Sequence, residues 1–539
     1  MATIVRHSQV CEGGRGTLRL LATLATAALA ACASLPTERS TVPSHALAGT
    51  ANTRLGVFAT RAVADLKAPS GVHLLYRGPD AFLARLVLAD AAERSIDAQY
   101  YIWHDDTTGR VLIDALLRAA DRGVRVRLLI DDVGSAANDM NLLLLTRQAN
   151  VEVRLFNPVA SRSTRMLGML FDFARTNRRM HNKSFTVDNQ VAIVGGRNIG
   201  DEYFGARDDV NFGDLDSLTV GAAVAEVSSR FDAFWNSPLV YRIQELTTAR
   251  PDDAAYAKAR TDLEAFAQQQ RDRTYAQAVR DNELATQLRA GRVLFTGASV
   301  KVLADDPAKV ERPDEDTSKN LLPQLMPEFA EIREQVLMVS PYFVPGAEGV
   351  ESLRRLRERG IRVRVLTNSL ASTDVVSVYS GYAKYRQALL EAGVELYEVN
   401  PDAAGDEIRA RTRDKAGGDQ PYGSGRSLAA LHAKTLVFDC RIFFVGSMNL
   451  DPRSAFTNTE IGIVVDAPSE AAHLCGVLDD VLAHSYRVEL RPGETGGSRI
   501  EWSGLDGGRE VRYTTAPKTS GWQRFTSAFY GLLPIEPLL

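Results

Sequence analysis

Two copies of the pattern H-x-K-x4-D constrain this chain more than any other feature. Their histidine, lysine and aspartate are His181, Lys183 and Asp188 in the first copy and His432, Lys434 and Asp439 in the second. The likeness continues downstream, because Gly195 and Gly446 stand at equal distances from their histidines, as do Asn198 and Asn449. A single chance match to this pattern is expected in roughly one sequence in a hundred of this length, and two matches with the same downstream spacing are far rarer. The sequence therefore predicts two related half-sites.

Each copy also fits the geometry of a strand. Side chains alternate between the two faces of a strand, so the histidine and lysine of one copy point to the same side. An apolar run follows each copy, VAIVGG in the first and IFFVGS in the second, and predicts a buried strand that ends in small residues. Sites in α/β proteins are built at such strand ends. We therefore expect both half-sites at the edge of a sheet.

The repeat covers whole domains. In the first half, SIDAQYYIW and GVRVRLLID predict strands on either side of a helix, and VLMVSPYFVP, ESLRRLRERG and IRVRVLTN repeat the unit in the second half. We therefore predict an α/β fold with homologous domains, each a mixed sheet flanked by helices, at residues 71–242 and 320–490. Residues 243–319 have the composition of a helical and charged insertion, 402–427 that of a loop, and 491–539 form a C-terminal extension.

The N-terminus has the composition of a secretory signal. Residues 1–31 carry three arginines and then an apolar stretch that is too short to span a membrane. Leu29-Ala30-Ala31-Cys32 is similar to the bacterial lipobox, which predicts cleavage and acylation at Cys32. The alternative is a plain signal peptide in which Cys32 is incidental. We expect residues 32–70 to form a tether, and the mature chain to be a lipid-anchored protein of the cell envelope that faces the periplasm.

The net charge of the chain limits the classes of partner, and its few cysteines limit the number of disulfides. Loss of residues 1–31 removes three arginines and one glutamate, which lowers the formal net charge from −4 to about −6. An acidic chain does not favour a nucleic-acid partner, because binding to a phosphate backbone needs an excess of Lys and Arg. Besides Cys11 and Cys32, the chain has only Cys440 and Cys475. We expect no disulfide framework from them, and we expect Cys440 to be a small buried apolar residue.

Histidine and lysine in two half-sites suit chemistry at phosphorus. One imidazole can attack phosphorus to form a phosphohistidine, while the other protonates the departing alcohol and then activates the acceptor. The lysine ammonium groups can bind the non-bridging oxygens, and Asn198 and Asn449 can add neutral donors. This division of work requires no metal and no cofactor, and no Cys/His spacing in the chain predicts a zinc site.

Acidic residues complete the candidate site. Each imidazole needs an acceptor on its second nitrogen, and Asp216 and Glu460 stand at related places after the two patterns. We predict that they orient the histidines. Asp188 and Asp439 belong to the repeated pattern and are candidates for catalysis, but a carboxylate in this place can instead bind backbone groups and fix a turn. We favour this structural role for both.

These residues resemble the phospholipase D superfamily, and in particular its bacterial cardiolipin synthase branch. The resemblance spans most of residues 71–490 and rests on YYIWHDDTTG, RAADRGVRVRLLIDD, RRMHNKSFTVDNQVAIVGGRNIGDEYF and HAKTLVFDCRIFFVGSMNLDPRS. It implies domains related by pseudo-twofold symmetry, one active site between them, and phospholipid substrates. It also implies transfer of a phosphatidyl group from one phospholipid to a hydroxyl group of another, with His181 as the nucleophile.

The chain departs from the multi-spanning members of that branch, because it has a lipobox in place of N-terminal transmembrane helices. It is more similar to a soluble-headed subgroup of that branch. Members of this subgroup differ in their donor and acceptor lipids, and some can require a partner protein. A phospholipase D that uses water is the nearest alternative, since the shape and dryness of the site choose the acceptor. A nucleic-acid phosphodiesterase and a lipid-binding scaffold with an inactive site are less favoured.

Two segments are candidates for contact with a membrane surface. In SRSTRMLGMLFDFARTNRRMHNK, which ends in the first pattern, apolar residues stand among arginines, a mixture that suits anionic headgroups. The other segment is the C-terminal WQRFTSAFYGLLPIEPLL. Either segment could instead pack on its own domain, and for the second we favour that interpretation.

Overall fold

The computed structural model of the protein describes residues 34–37, 39, 41–135, 138–207, 210–272, 283–313, 316–402, 428–493 and 497–539. The expected signal peptide, Cys32 and all but one residue of the expected loop at 402–427 lie outside these ranges. Within them, no helix combines the length and the apolar character needed to cross a membrane. They form two α/β domains whose sheets join edge to edge.

The first domain is built on a mixed sheet. Its strands are β1 (Ser70–Leu75), β2 (Ser95–Tyr100), β3 (Arg125–Asp131), β4 (Val151–Phe156), β5 (Ser184–Val187), β6 (Val191–Gly195), β7 (Val210–Gly213), β8 (Asp216–Gly221) and β9 (Val240–Arg242). All but β7 form one sheet in the order β9-β4-β3-β2-β5-β6-β8-β1. In it β2, β3 and β4 run parallel and the other neighbours antiparallel.

Helices cover both faces of this sheet. They are α1 (Arg54–Leu66), α2 (Gly78–Ala91), α3 (Thr107–Asp121), α4 (Asp139–Leu145), α5 (Arg165–Phe171), α6 (Phe173–Thr176), α7 (Ala222–Trp235) and α8 (Ile243–Leu246). Because side chains alternate along a strand, Leu128 and Leu129 of β3 belong to cores on opposite faces. Helices α2 and α3 pack over the first of these cores and α7 over the second.

The described part of the expected insertion up to Arg289 is largely helical, as predicted. It contains α9 (Asp253–Asp272) and α10 (Glu283–Arg289). Ala267 of α9 and Leu284 of α10 are buried in the core of the first domain. The insertion is therefore an added layer on that domain and not a free connection between domains.

The second domain repeats the first. Its strands are β10 (Thr296–Ala304), β11 (Gln335–Val339), β12 (Arg362–Thr367), β13 (Glu395–Glu398), β14 (Leu428–Leu431), β15 (Thr435–Phe438), β16 (Ile442–Gly446), β17 (Ile461–Asp466), β18 (Tyr486–Pro492), β19 (Ser498–Asp506) and β20 (Arg509–Tyr513). Its helices are α11 (Leu321–Glu331), α12 (Gly346–Glu358), α13 (Val376–Glu391), α14 (Pro468–Ala483) and α15 (Gly521–Gly531). The order β18-β13-β12-β11-β15-β16-β17-β10 matches the first sheet strand for strand.

The two sheets join through their equivalent edge strands. β1 and β10 pair antiparallel over three residues, with Gly71 opposite Gly297. A Cβ atom on Gly71 would lie 2.6 Å from Cδ1 of Leu66, and one on Gly297 would lie 3.0 Å from the backbone oxygen of Leu66. The paired glycines therefore leave room for α1 to cover the seam. Because β1 and β10 are equivalent strands that pair antiparallel, the domains have the pseudo-twofold relation that the resemblance implies.

The domain boundaries differ from the expected ones in three places. Strand β10 falls in the expected insertion but is the edge strand of the second domain, and its polar residues obscured it in a polar region of the sequence. Helix α1 falls in the expected tether, yet Leu55 and Ala59 are buried. The preceding chain is also fixed, since the backbone N–H of Ser44 donates to Asn236. Beyond residue 490, β19 and β20 extend the second sheet and α15 packs on α13.

Cys440 and Cys475 form a disulfide, which corrects the expectation that they would not. The bond joins the turn between β15 and β16 to α14. Two cysteines that lie 35 residues apart meet only when α14 packs on β16, so their number and spacing do not reveal the bond. Closing a loop of this length restricts the unfolded chain and stabilises the fold by about 2–4 kcal/mol.

Reduction of this bond should therefore lower the free energy of unfolding by about 2–4 kcal/mol. Cys475→Ser should lower it by the same amount and abolish any further effect of a reductant. Urea unfolding with and without dithiothreitol measures both. Equal stability of the oxidised and reduced wild type would show that the bond does not stabilise the fold.

Candidate active site

The paired patterns lie at the starts of equivalent strands. His181 and Lys183 lead into β5, and His432 and Lys434 lead into β15. All four side chains are almost fully buried. Each lysine donates from Nζ to the backbone oxygen of its own histidine, at 2.6 Å in the first domain. Nζ of Lys434 also lies 2.9 Å from Nδ1 of its own histidine, and the ammonium hydrogens that remain on each lysine can bind a ligand.

Backbone hydrogen bonds attach each histidine to the opposite domain. The N–H of His181 donates to the oxygen of Thr459, and the N–H of His432 donates to the oxygen of Gly213, both at 2.8 Å. The second contact continues a short parallel ladder between β7 and β14. These bonds bring the two half-sites into one site at the domain junction.

The histidine side chains are oriented across the same junction. Nδ1 of His181 lies 2.9 Å from Oε2 of Glu460, and Nδ1 of His432 lies 2.6 Å from Oδ2 of Asp214. Each carboxylate belongs to the domain that does not contribute the histidine. With Nδ1 engaged, Nε2 is the nitrogen left for chemistry in both rings.

Glu460 thus lies where the sequence predicts an orienting residue, but Asp216 does not. Asp216 accepts hydrogen bonds from Arg85 at 2.9 Å and from the backbone N–H of Arg197 at 3.2 Å, and it contacts neither imidazole. The register explains the correction. Gly446 pairs with Gly462 and Gly195 pairs with Asp216, so the equivalent of Glu460 stands two residues before Asp216 and is Asp214.

Sequence reasoning could not easily choose between these two aspartates, because residues two apart on a strand share a face. The glycines after the first pattern carry a usable signal. A Cβ atom on Gly196 would lie 2.2 Å from Oδ1 of Asp214, so the glycine makes room for that carboxylate. The equivalent residue in the second domain is Ser447, whose hydroxyl donates to Glu460.

Asp188 and Asp439 serve the fold, which removes them from the catalytic candidates. Asp188 accepts backbone hydrogen bonds from residues 93–95, and Asp439 from residues 333–335. Both have positive φ angles, 52° and 50°, in the turn after their strands. Each carboxylate therefore fixes this turn against the start of a parallel strand, β2 or β11.

Asn198 and Asn449 occupy equivalent positions but have different partners. Asn198 accepts from the N–H of Ile102 at 3.2 Å and donates to the hydroxyl of Tyr203 at 3.0 Å, so it positions this tyrosine. Among the described residues, the buried Oδ1 of Asn449 has no hydrogen-bond partner. Rotation of that amide would present a donor in place of the oxygen. Asn449 is therefore the better candidate for binding a phosphate oxygen.

Aromatic rings that the sequence analysis did not single out enclose the imidazoles. The ring centroid of Tyr101 lies 5.1 Å from that of His181, and those of Tyr203 and Phe212 lie 5.1 and 5.2 Å from His432. Nζ of Lys183 lies 5.4 Å from the centroid of Tyr101. These rings exclude water and limit the rotation of both histidines.

Burial and charge shift the pKa values of the two histidines in the same direction but by different amounts. Burial, together with the charges of the two lysines, holds the pKa of His181 well below its ordinary value. Burial also lowers the pKa of His432, but the charge of Asp214 opposes this shift. The influence of both lysines on both rings also shows that the half-sites adjoin.

The two orienting carboxylates differ in charge. Burial raises the pKa of Glu460 to about 7. Burial also acts to raise the pKa of Asp214, but the charges of His432, Lys434 and Arg197 outweigh it and hold that pKa well below its usual range. His432 therefore faces a fully ionised carboxylate, whereas the carboxylate beside His181 is only partly ionised near neutral pH.

A buried pair of histidine and lysine half-sites at the junction of duplicated α/β domains defines a phospholipase D-like protein. The family described as "Cardiolipin synthase, PLD-like domain" matches residues 86–235 and 325–480, once in each domain. The chain belongs to this family. Cardiolipin synthase C of Escherichia coli (strain K12) is 40% identical over 87% of this chain and 96% of that protein. Cardiolipin synthase 1 of Bacillus anthracis is 26% identical over 77% of this chain and 67% of its own length.

A solved structure supports the fold. Phosphatidylserine synthase of Haemophilus influenzae Rd KW20 matches with a TM-score of 0.51 over 80% of this chain and 91% of that chain, at 16% identity. At this identity the likeness concerns the fold alone. It confirms the α/β fold that the sequence predicts.

Asp214→Asn should lower turnover of a phosphodiester by about 10²- to 10⁴-fold, because His432 loses its anionic partner while the side chain keeps its shape. Asp216→Asn is the matched control. It should instead lower the free energy of unfolding by about 3–5 kcal/mol, since buried Arg85 loses its counterion. Steady-state kinetics and urea unfolding of both variants separate the two effects. An active Asp214→Asn variant would contradict the assignment.

Proposed function

We propose that the protein is a phosphatidyltransferase of the cardiolipin synthase type. It moves a phosphatidyl group from one phospholipid to a hydroxyl group of another through a phosphohistidine. The observation that carries this proposal is the crossed arrangement of the histidines, in which each imidazole is oriented by a carboxylate of the other domain. The 40% identity to a cardiolipin synthase over most of both chains supports the choice of reaction.

In the first step Nε2 of His181 attacks phosphorus. The low pKa of His181 keeps its imidazole neutral, so that Nδ1–H donates to Glu460 and Nε2 carries a lone pair. The bond from phosphorus to the leaving alcohol breaks, and His432 gives that oxygen its proton. Asp214 supports the protonated form of His432 before this transfer. Lys183 and Lys434 offset the negative charge on the non-bridging oxygens.

In the second step the neutral His432 takes the proton of the acceptor hydroxyl. The acceptor oxygen attacks phosphorus, the bond to Nε2 of His181 breaks, and both histidines return to their starting state. Burial of both imidazoles and the aromatic rings around them keep bulk water away from the intermediate. This dryness favours a lipid alcohol over water as acceptor.

Product analysis tests this proposal against hydrolysis by a phospholipase D. With phosphatidylglycerol or phosphatidylethanolamine vesicles, mass analysis should find cardiolipin as the main product. His181→Ala and His432→Ala should each abolish its formation. Phosphatidic acid as the main product would favour the hydrolase, and no turnover of either lipid would remove both assignments.

The pH dependence of kcat/KM follows from the two roles. His181 acts unprotonated and burial lowers its pKa from the ordinary 6.5, so the acid limb should lie below pH 6.5. His432 acts protonated; burial lowers its pKa from the ordinary 6.5, and the charge of Asp214 offsets part of this shift. In Asp214→Asn the proton is therefore lost at lower pH, and the alkaline limb should move to lower pH. The profiles need a soluble phosphodiester with an alkyl alcohol as leaving group, which requires a proton, and an unmoved limb would remove His432 as the acid.

The protein is, on this proposal, a lipoprotein of the cell envelope that acts at a membrane surface. Acylation of Cys32 after removal of residues 1–31 would hold it there, and the disulfide between Cys440 and Cys475 suits an oxidising compartment such as the periplasm. A protein partner stays a prediction. The mass of the N-terminal peptide from the native protein tests acylation, and an unmodified Cys32 would contradict the anchor.

A further inference from the structure

We propose that two exposed apolar segments on either side of Arg453 form one bilayer-docking surface at the entrance to the catalytic site. The first lip is residues 165–173. The second lip is residues 522–538 together with Phe456. The proposal rests on the proposed function, because its occupant is a lipid bilayer that supplies the phospholipid substrate.

The first lip presents apolar side chains to solvent. Met166 is 80% exposed, and the other large apolar residues of the lip, Leu167, Leu170, Phe171 and Phe173, are exposed as well. Gly168 is the residue that packs inward, and a Cβ atom there would lie 2.8 Å from Val159. Arg162 holds the preceding chain through Asp132 at 2.6 Å. The lip is therefore fixed in place with its apolar side outward.

The second lip begins with an amphipathic helix, α15, whose apolar side faces solvent instead of the protein. Helix α15 packs on α13 through a small polar residue, since the hydroxyls of Ser527 and Ser380 lie 3.1 Å apart. Its apolar residues point away from the protein, and the chain beyond it stays apolar: Trp522, Phe525, Phe529, Leu532 and Leu538 are exposed. A surface helix normally buries its apolar face. An apolar face turned outward indicates a partner outside the chain.

Arg453 joins the lips next to the catalytic site. Its guanidinium donates to the backbone oxygen of Asn177, just after the first lip, at 2.7 Å and to that of Leu538 at 3.3 Å. Phe456, in the same π-helical turn as Arg453, is also exposed. The N–H of Asn458 donates to the backbone oxygen of Arg453, and the next residue, Thr459, accepts from the N–H of His181 at 2.8 Å, which places this junction beside the nucleophile. Both lips therefore meet beside the catalytic site.

Charge and residue type favour a bilayer over a second copy of the chain. Residues 161–180 contain four arginines besides the buried Arg179. Three of the four pair with Asp132, Asp139 or Asp172, so the arginines outnumber these carboxylates by one. A surface with a positive excess attracts anionic headgroups. Trp522 and Tyr530 belong to the residue types that prefer the interface between lipid and water.

Three matched variants of the full-length protein test the proposal. Met166→Asp changes the first lip and Leu532→Asp the second, at side chains that are 80% and 84% exposed. Leu294→Asp is the control. Leu294 is 80% exposed and precedes β10, at the end of that strand remote from Asp305, whose N–H donates to the oxygen of Glu460. The wild type and all three variants also carry Cys32→Ser, because an acyl anchor would hold each of them on the vesicles and hide a change in affinity.

Tryptophan fluorescence gives the direct readout. Trp103, Trp235 and Trp502 are buried, so Trp522 is the exposed one of the four tryptophans. Phosphatidylglycerol vesicles with brominated acyl chains should quench Trp522 in the wild type and in Leu294→Asp. Met166→Asp and Leu532→Asp should each raise the vesicle concentration needed for half-quenching about tenfold or more, because a charged group replaces a buried apolar side chain.

Kinetics give a second readout. In Met166→Asp and Leu532→Asp, turnover of vesicle lipid should fall about tenfold or more relative to turnover of bis(p-nitrophenyl) phosphate. Quenching that is absent in the wild type, or equal in all variants, would overturn the proposal. So would a wild-type dimer that Met166→Asp or Leu532→Asp dissociates without any change in quenching. A wild type that is quenched but inactive on vesicle lipid would contradict the proposed function and leave the docking surface supported.

Discussion

The site depends on hydrogen bonds that cross between the domains. His181 is held by the backbone of Thr459 and the carboxylate of Glu460, and His432 is held by the backbone of Gly213 and by Asp214. Neither domain contains a complete and oriented histidine by itself. A duplicated half-site therefore becomes one catalyst only when the seam between β1 and β10 is closed.

The two half-sites are similar in geometry but different in electrostatics, and this difference gives the two histidines different roles. Asp305 accepts from the backbone N–H of Glu460 at 2.7 Å, and Asp451 also lies near enough for the Glu460 charge to act on it. Burial raises the pKa of Asp305 and of Asp451 to about 6. In this acidic and buried environment Glu460 is only partly ionised near neutral pH, whereas burial and the charges of both lysines keep His181 neutral and nucleophilic.

Asp214, in contrast to Glu460, is surrounded by positive charge. The buried Arg197 donates to its backbone oxygen, and Lys434 and His432 add positive charge. The carboxylate stays ionised and supports a protonated imidazole. One fold used twice thus yields a base-like and an acid-like histidine through the residues around the carboxylates, and not through the repeated pattern itself.

The repeated pattern predicted most of the fold and the centre of the site. Periodicity of two placed His181 with Lys183 on one strand face, and the matching offsets to Asn198 and Asn449 implied two equivalent domains. The pattern did not predict the orienting residue Asp214, because the choice between it and Asp216 depends on the register between β6 and β8. Strand β10 and the contact between Cys440 and Cys475 depend on long-range packing, which local sequence does not encode.

The central claim is that both histidines act on one phosphorus atom, with His181 as nucleophile. Peptide mass analysis of His432→Ala, quenched during reaction with bis(p-nitrophenyl) phosphate, tests it most directly. The leaving group of this substrate needs no proton, so the first step should proceed while the second lacks its base. The account predicts that a phosphorylated peptide containing His181 accumulates, and that His181→Ala gives none. A phosphorylated His432 in His181→Ala, with none at His181 in His432→Ala, would contradict it.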